Sequence, residues 1–368
     1  MDAKLFSVRS VRSVGLTGTY LFRVLTLCLG SAALIFDGIA GRLSDNQRLS
    51  LSLPLVVCAL LTAALGYWVV PLLRRLKTGQ VIREDGPQTH LKKGGTPTMG
   101  GVFFIPVGVI VGLLWSGFSP EVMAVAALTL GYGAIGWVDD WQILLKKSNK
   151  GISPRMKLGL QIALAAIFCL WLAANQPENL TNIELPFGIA VPLGMLFWPF
   201  AAFVLVAESN STNLTDGVDG LMGGTGAIAF LGLGALIAPS FPDLMVFCAA
   251  LSGSCLGFLA YNRNPAKVFM GDTGSLALGG ALGAIALLSN TLWSLFLISG
   301  IFFVEAISVM AQVGYYKATK GPDGVGKRLF KMAPIHHHLE LSGWSEIKVV
   351  TVFYTINAIL VLMSFVIH

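Results

Sequence analysis

The sequence predicts an all-α polytopic membrane protein with ten core transmembrane helices, and three observations support that prediction. The chain of 368 residues is 55% hydrophobic and only 12% charged, about half the charged fraction of an ordinary soluble domain. Its apolar residues are gathered into runs long enough for helices to cross a hydrocarbon core of about 30 Å. The remaining charges are segregated into alternate loops, which orients the chain in the membrane. The formal charge of +6 therefore marks a membrane surface and predicts no nucleic-acid partner.

The core spans are 50–72, 99–117, 122–138, 158–174, 191–207, 222–238, 243–260, 276–290, 293–315 and 347–367. An earlier apolar stretch, 20–38, is either an eleventh span or an interfacial helix, because Arg23 and Asp37 lie near its ends. Lys4, Arg9 and Arg12 precede it as in a signal peptide, but that basic region is long and no small-x-small cleavage site follows. The organisation is thus an N-terminal extension, 1–49, and an integral-membrane domain, 50–368.

Counted from residue 50, the loops 73–98, 139–157, 208–221, 261–275 and 316–346 share one face. They hold 18 of the 25 Lys and Arg residues, whereas the opposite loops 118–121, 175–190, 239–242 and 291–292 hold none. This asymmetry predicts that the charged loops are cytoplasmic. A spanning 20–38 would put the N-terminus in the cytoplasm and leave Arg42 and Arg48 outside, against the rule. The outer connections are short, except that ENLTNIELPFG within 175–190 suits a turn or small hairpin. Cys28, Cys58, Cys169, Cys248 and Cys255 lie in apolar stretches without metal-binding spacing, which predicts packing thiols rather than disulfides or zinc ligands.

The unusual chemistry is concentrated on the charged face, in GWVDD at 136–140, NLTDGVDG at 213–220, FMGDTGS at 269–275 and PIHHH at 334–338. Acids are costly at a bilayer and tend to be functional there. Asp139 and Asp140 are adjacent and do not share a helix face, so one can coordinate a cation while the other binds or activates a substrate. Their plain alternative is a solvated helix end, where the dipole disfavours negative charge. Asn213, Asp216 and Asp219, spaced by three, form one polar stripe if helical, suited to a nucleotide's edges or a hard cation. Gly217 and Gly220 permit a break in that helix. Asp272 precedes a span that Thr273 and Ser275 can cap, with free amides to face phosphate.

Basic and glycine-rich segments complete the pattern. HLKKGGTPTMGG at 90–101 carries Lys92, Lys93, Thr96 and Thr98 without the spacing of a Walker loop. Lys146, Lys147, Lys150, Arg155 and Lys157 follow the paired acids, and the arrangement favours Lys147 and Arg155 as phosphate contacts. His336, His337 and His338 cannot all face one centre from a regular helix, so no preformed zinc triad is expected; a loop can direct one or two rings to a diphosphate or sugar. Glu305 is the only acid deep in an apolar run. It belongs either to a transport path or to a buried helix-packing hydrogen bond, and the polar groups gathered at loop mouths argue against transport.

Together THLKKGGTPTMGG, GWVDD, NLTDGVDGL, FMGDTGS and MAPIHHHLE closely resemble the phospho-N-acetylmuramoyl-pentapeptide transferase family, a bacterial branch of the polyprenyl-phosphate N-acetylhexosamine-1-phosphate transferases. The resemblance covers about 50–368, and GTPTMGG and MAPIHHH favour the muramoyl-pentapeptide branch over the N-acetylglucosamine one. It implies ten transmembrane helices in the bacterial inner membrane and a Mg²⁺-dependent active site facing the cytoplasm. The implied reaction moves phospho-MurNAc-pentapeptide from UDP-MurNAc-pentapeptide to undecaprenyl phosphate, giving lipid I and UMP for peptidoglycan synthesis.

Carried onto this chain, the resemblance implies catalytic roles for Asp139, Asp140, Asp272, His336, His337 and His338, with Mg²⁺ at Asp272 and Asp216. Substrate contacts fall to Lys93, Thr98, Lys147, Arg155, Asn213, Asp216, Gly217, Val218, Asp219 and Phe269. Two departures stand out. Ile143 replaces a lysine that members commonly carry four residues after the first aspartate of the pair, which shifts electrostatic binding to Lys146 or Lys147. Glu208 occupies an approach to the nucleotide loop that is usually uncharged. The resemblance leaves open a homodimer and the choice between direct transfer and a covalent aspartyl intermediate.

Overall fold

The computed structural model describes residues 16–42, 49–76, 93–146, 151–176 and 178–367. Helices dominate it: α1 (Gly18–Ile39), α2 (Ser52–Arg75), α3 (Gly101–Trp115), α4 (Pro120–Lys146), α5 (Pro154–Asn175), α6 (Phe197–Thr215), α7 (Leu221–Ile237), α8 (Pro242–Asn262), α9 (Gly271–Leu288), α10 (Leu292–Ile298), α11 (Gly300–Ala318), α12 (Ile335–Leu341) and α13 (Glu346–Ile367). Nine of the ten expected core spans coincide with a helix or a helix pair; the span at 191–207 starts in a strand and a 3-10 turn and becomes helical only at Phe197. By length and composition seven of the described helices can cross a membrane, or eight if the bent pair α10 and α11 is one span. The apolar α3 and α7 are shorter, and α6 ends in the polar run ESNSTNLT. The chain is a multi-pass membrane protein.

The hydrophobic core lies along α7, α8 and α9, which are buried nearly throughout. The outer helices instead turn Leu27, Trp68, Leu170, Phe203, Met310 and Val366 outward. An apolar girdle of this kind suits lipid, where helices satisfy their backbone groups internally. Local sequence explains the better-defined helix starts: Thr17 Oγ1 accepts from the Tyr20 amide at 3.1 Å, and Ser153 caps α5 ahead of Pro154. The loop at 175–190 contains the expected hairpin, β1 (Asn182–Leu185) paired antiparallel with β2 (Ile189–Pro192).

One expectation changes. The span at 293–315 is not straight: α10 and α11 meet at 73° around Ser299. Serine followed by glycine is a weak point in a helix, and here Ser299 Oγ turns aside to donate to Glu208 Oε1 at 2.6 Å. The stretch 20–38, open between an eleventh span and an interfacial helix, is one continuous helix, long and apolar enough to cross a membrane and packed on the core along one face. Its buried residues Leu25, Leu29, Ala33 and Asp37 recur every fourth position, and Asp37 accepts from the Leu51 and Ser52 amides at the start of α2. Arg42, an apparent exception to the charge rule, donates to the Ala238 carbonyl at the end of α7.

Candidate active site

The site begins where α4 and α9 cross. A side chain at Gly136 would overlap the Asp272 carbonyl, so glycine lets the two backbones touch. One turn further along α4, Asp139 and Asp140 reach the first turn of α9. Asp140 is buried and accepts from the amides of Asp272 (3.2 Å) and Thr273 (3.0 Å) and from Thr273 Oγ1 (2.6 Å). It is a helix cap supplied by a neighbouring helix, satisfying amides that α9 leaves free and placing charge favourably on the dipole. Gly271, at φ +74°, makes the required left-handed turn beside Asp140 and Thr98.

Asp139 faces a different way. Its Oδ1 accepts from the Ile152 amide at 2.6 Å, and its Oδ2 lies 3.5 Å from Lys157 Nζ. The same ammonium binds Asp272 Oδ2, so Lys157 bridges the two acids. Asp272 Oδ1 accepts from Asn213 Nδ2 at 2.8 Å, which also donates to Ser275 Oγ at 2.9 Å. The centre is therefore a cation held between carboxylates at the start of a helix, an arrangement able to bind and neutralise phosphate oxygens.

Lys157 is the basic residue that the geometry adds to the candidate site. Lys147 lies outside the described residues, and Arg155 is exposed. The missed signal is helical periodicity: Gln161, Ala165, Phe168 and Leu172 form the buried stripe of α5, and one turn back from Gln161 is Lys157, not Arg155.

The stripe expected of Asn213, Asp216 and Asp219 does not form. Helix α6 ends at Thr215, Asp216 is its cap, and Gly220 turns at φ +82°, so the three side chains part. Asn213 serves Asp272. The Asp216 carboxyl is pushed up to about 8, first by burial and then by the negative charges of Asp272 and Asp140, with the Gly271 amide pulling the other way. Asp219 accepts from Lys93 Nζ (2.8 Å), the Ala266 amide (2.9 Å) and Asn264 Nδ2 (3.3 Å). Lys93 and Asn264 also bind Glu346 Oε2, at 2.6 and 3.0 Å. Val218 is buried between these two halves.

The glycine-rich loop is stitched to the segment before α9. The Phe269 amide donates to Pro97 O, and the Gly100 and Gly101 amides donate to Phe269 O and Met270 O, all within 2.9 Å. This sets Thr98 beside Asp140 around Gly271, with Phe269 in the stretch of chain that leads into α9.

The histidines occupy a short helix rather than a loop and diverge. His336 is completely buried with Nδ1 3.1 Å from Glu305 Oε1, and its ring abuts Gly217. Neither side chain of this pair has another polar partner among the described residues. His337 pairs with Glu340 at 2.9 Å, and His338 Nδ1 accepts from the Lys331 amide while its ring meets Phe330 edge-on. Glu305 thus takes the helix-packing role, with a partner that sequence spacing does not reveal. Glu208 lies in the core at the α10–α11 bend, not on the nucleotide loop.

Among the described residues no three His, Cys, Asp or Glu side chains form a ready metal cage. The donors around Lys157 are carboxylate and carboxamide oxygens, the hard type that suits Mg²⁺. That ion uses one or two carboxylates together with water and substrate phosphates, so the residues fit it.

A mostly helical membrane protein with a carboxylate–lysine centre on α4, α5 and α9 defines the class as an integral-membrane group transferase, and residues 122–290 match the family described as glycosyl transferase family 4. The chain is 67% identical over 361 residues to the phospho-N-acetylmuramoyl-pentapeptide-transferase of Nostoc punctiforme (strain ATCC 29133 / PCC 73102), covering 98% of each protein. The enzymes of that name from Nostoc sp. (strain PCC 7120 / SAG 25.82 / UTEX 2576) and Rippkaea orientalis (strain PCC 8801 / RF-1) are 68% and 63% identical, over 98% and 99% of this chain and 97% and 99% of theirs. The chain belongs to the phospho-N-acetylmuramoyl-pentapeptide transferase family.

Proposed function

We propose that this protein transfers phospho-MurNAc-pentapeptide from UDP-MurNAc-pentapeptide to undecaprenyl phosphate, producing lipid I and UMP. The observation that carries the reading is the Lys157 ammonium seated between Asp139 and Asp272 at the start of α9. The charge asymmetry of the loops supports an orientation with this centre facing the cytoplasm, and the proposal places it on ten core spans in a bacterial inner membrane.

An oxygen of the lipid phosphate attacks the phosphorus joined to the sugar, forming the new P–O bond as the bond to UMP breaks. A phosphate monoester is largely ionised near neutral pH, so positioning and charge neutralisation matter more than a strong base. Lys157 draws in the phosphates, and Asp139, paired with it, turns that ammonium toward the incoming lipid phosphate. Asp140, with both oxygens engaged by α9, holds the helix start in place. That occupancy favours direct transfer over an aspartyl intermediate on Asp140. On the far side of the Asp216–Gly220 loop, Lys93 and Asp219 take the uridine end of the donor, with Phe269 reaching it from the segment before α9. Mg²⁺ held by Asp272 and Asp216 would supply Lewis-acid neutralisation of the diphosphate.

The test is Mg²⁺-dependent UMP release by the purified full chain from UDP-MurNAc-pentapeptide and undecaprenyl phosphate, with UDP-GlcNAc in parallel. UMP and lipid I from the muramoyl donor alone support the assignment. Release from UDP-GlcNAc alone moves the protein to the neighbouring branch, and turnover of neither by folded protein overturns the reading.

A further inference from the structure

Helix α1 lies outside the part of the chain that carries the family motifs, and it is the least embedded of the membrane-capable helices, with 11% of its apolar window buried. Leu27, Ile35 and Ile39 face outward. A helix this exposed adds little to the core, yet its polar contacts are concentrated at its two ends. One end holds Asp37, which caps α2. The other end reaches the acid loop.

At that second end the contacts form a chain. Arg263 Nε donates to Thr19 Oγ1 at 3.2 Å, and the guanidinium lies over the Phe22 ring at 5.1 Å from its centroid. Gly18 packs so closely on the next residue that a Cβ there would overlap the Asn264 carbonyl. Asn264 donates to Asp219 Oδ2 and Glu346 Oε2, and the Ala266 amide completes the hold on Asp219. A small gap is lined by Gly18 and Phe22 together with Asp219, Arg263 and Asn264, so α1 forms part of the wall behind that carboxylate.

We propose that α1 positions the nucleotide side of the site: Gly18, Thr19 and Phe22 fix Arg263 and Asn264, and through them the carboxylate of Asp219. These are positioning residues, since none touches the reacting phosphates. The inference rests on the reading of the donor as a uridine nucleotide. Asp139, Asp272 and Lys157 are held by α4, α5 and α9, so loosening α1 affects nucleotide affinity and leaves the lipid phosphate and the chemical step unaffected.

The test uses the full chain in detergent with UMP as the probe. Calorimetric UMP affinity is measured beside the KM values for donor and lipid phosphate and the thermal midpoint. The T19A/F22A double variant and Gly18→Val should each weaken UMP binding and raise donor KM by about tenfold, the scale of one or two lost contacts. Lipid KM, kcat and the thermal midpoint should hold. Asp37→Asn, at the opposite end, should lower the thermal midpoint and leave UMP affinity unchanged. If Gly18→Val does not fold, T19A/F22A decides. UMP affinity within twofold of the parent in T19A/F22A overturns the inference and leaves α1 an anchor, as does a parallel loss of UMP affinity, lipid KM and thermal midpoint. Failure of the parent to bind UMP removes the nucleotide reading itself, and this inference with it.

Discussion

Two groups of ionisable side chains meet at the Asp216–Gly220 loop, and they are built on opposite terms. Around Lys157, Asp139 is buried and Asp272 half-buried, and the two share several donors: an ammonium, the Ile152 amide and the Asn213 carboxamide. Around Gly217, Glu305 and His336 are sealed, each with only the other as polar partner among the described residues. The first arrangement can exchange partners with an incoming phosphate. The second cannot exchange anything without opening α11 or α12, and it acts as a joint holding the back of the loop. Being acidic and buried at a membrane therefore does not make a residue catalytic; what surrounds it decides.

The largest effect expected from that difference lies at the open cluster. Asp272→Asn removes the charge that holds Lys157 and, in the proposed reading, the principal Mg²⁺ ligand. Turnover should fall by about a thousandfold or more, the scale of lost electrostatic stabilisation in an active site. Lys157→Ala should cost on the order of a hundredfold, because Asp139 and Asp272 then face each other unbridged. UMP release checks both, and a variant retaining more than a tenth of parent turnover would show that this cluster is not the reacting centre.

The sealed pair should behave in the reverse way. Removing one partner of a buried pair leaves the other uncompensated, at a cost of about 3–5 kcal/mol, so Glu305→Leu and His336→Leu should each lower the thermal midpoint strongly. The double substitution should recover part of the loss, since two apolar groups need no partner. Turnover per folded molecule in Glu305→Gln should fall by less than about tenfold, reflecting a loosened loop rather than lost chemistry. A double variant no more stable than the sum of the singles would deny the pair its coupling.

Much of this was legible in the sequence because a bilayer demands long apolar runs and segregated charge. All the expected spans meet helices, and the hairpin near 182–192 was marked by its proline and glycine. The motifs also marked segments that the fold brings together, since Asp139, Asp140, Asn213, Asp272 and Thr98 converge. What they could not give was the direction each side chain takes after a helix ends. The spacing of Asn213, Asp216 and Asp219 suggested one stripe, but the chain leaves helical geometry at Asp216, so the third residue points to Lys93 instead. Three histidines in a row gave no hint that the first would find a glutamate 31 positions earlier in the chain. Lys157 was one lysine among several until its place on the buried stripe of α5 distinguished it.

Asp216 lies on the open side of the loop, and the smallest predicted effect belongs to it. Its carboxyl is raised from the ordinary value of 3.8 to about 8 by burial and by Asp272 and Asp140. Between those values the folded protein binds a proton that the unfolded chain has lost, so without metal its stability should decline as pH rises toward 8 and level off above. Mg²⁺ binding to the ionised carboxylate must expel that proton below about pH 8, so apparent affinity should climb with pH by at most about tenfold per unit and then flatten. Titrating the thermal midpoint with Mg²⁺ between about pH 6 and 9 reads both trends. Asp216→Asn should flatten the pH dependence of Mg²⁺ affinity while leaving Asp272 able to bind the ion more weakly. If the slope survives that substitution, the titrating ligand lies elsewhere in the cluster, and Asp216 belongs with the residues that shape the loop rather than with those that hold the cation.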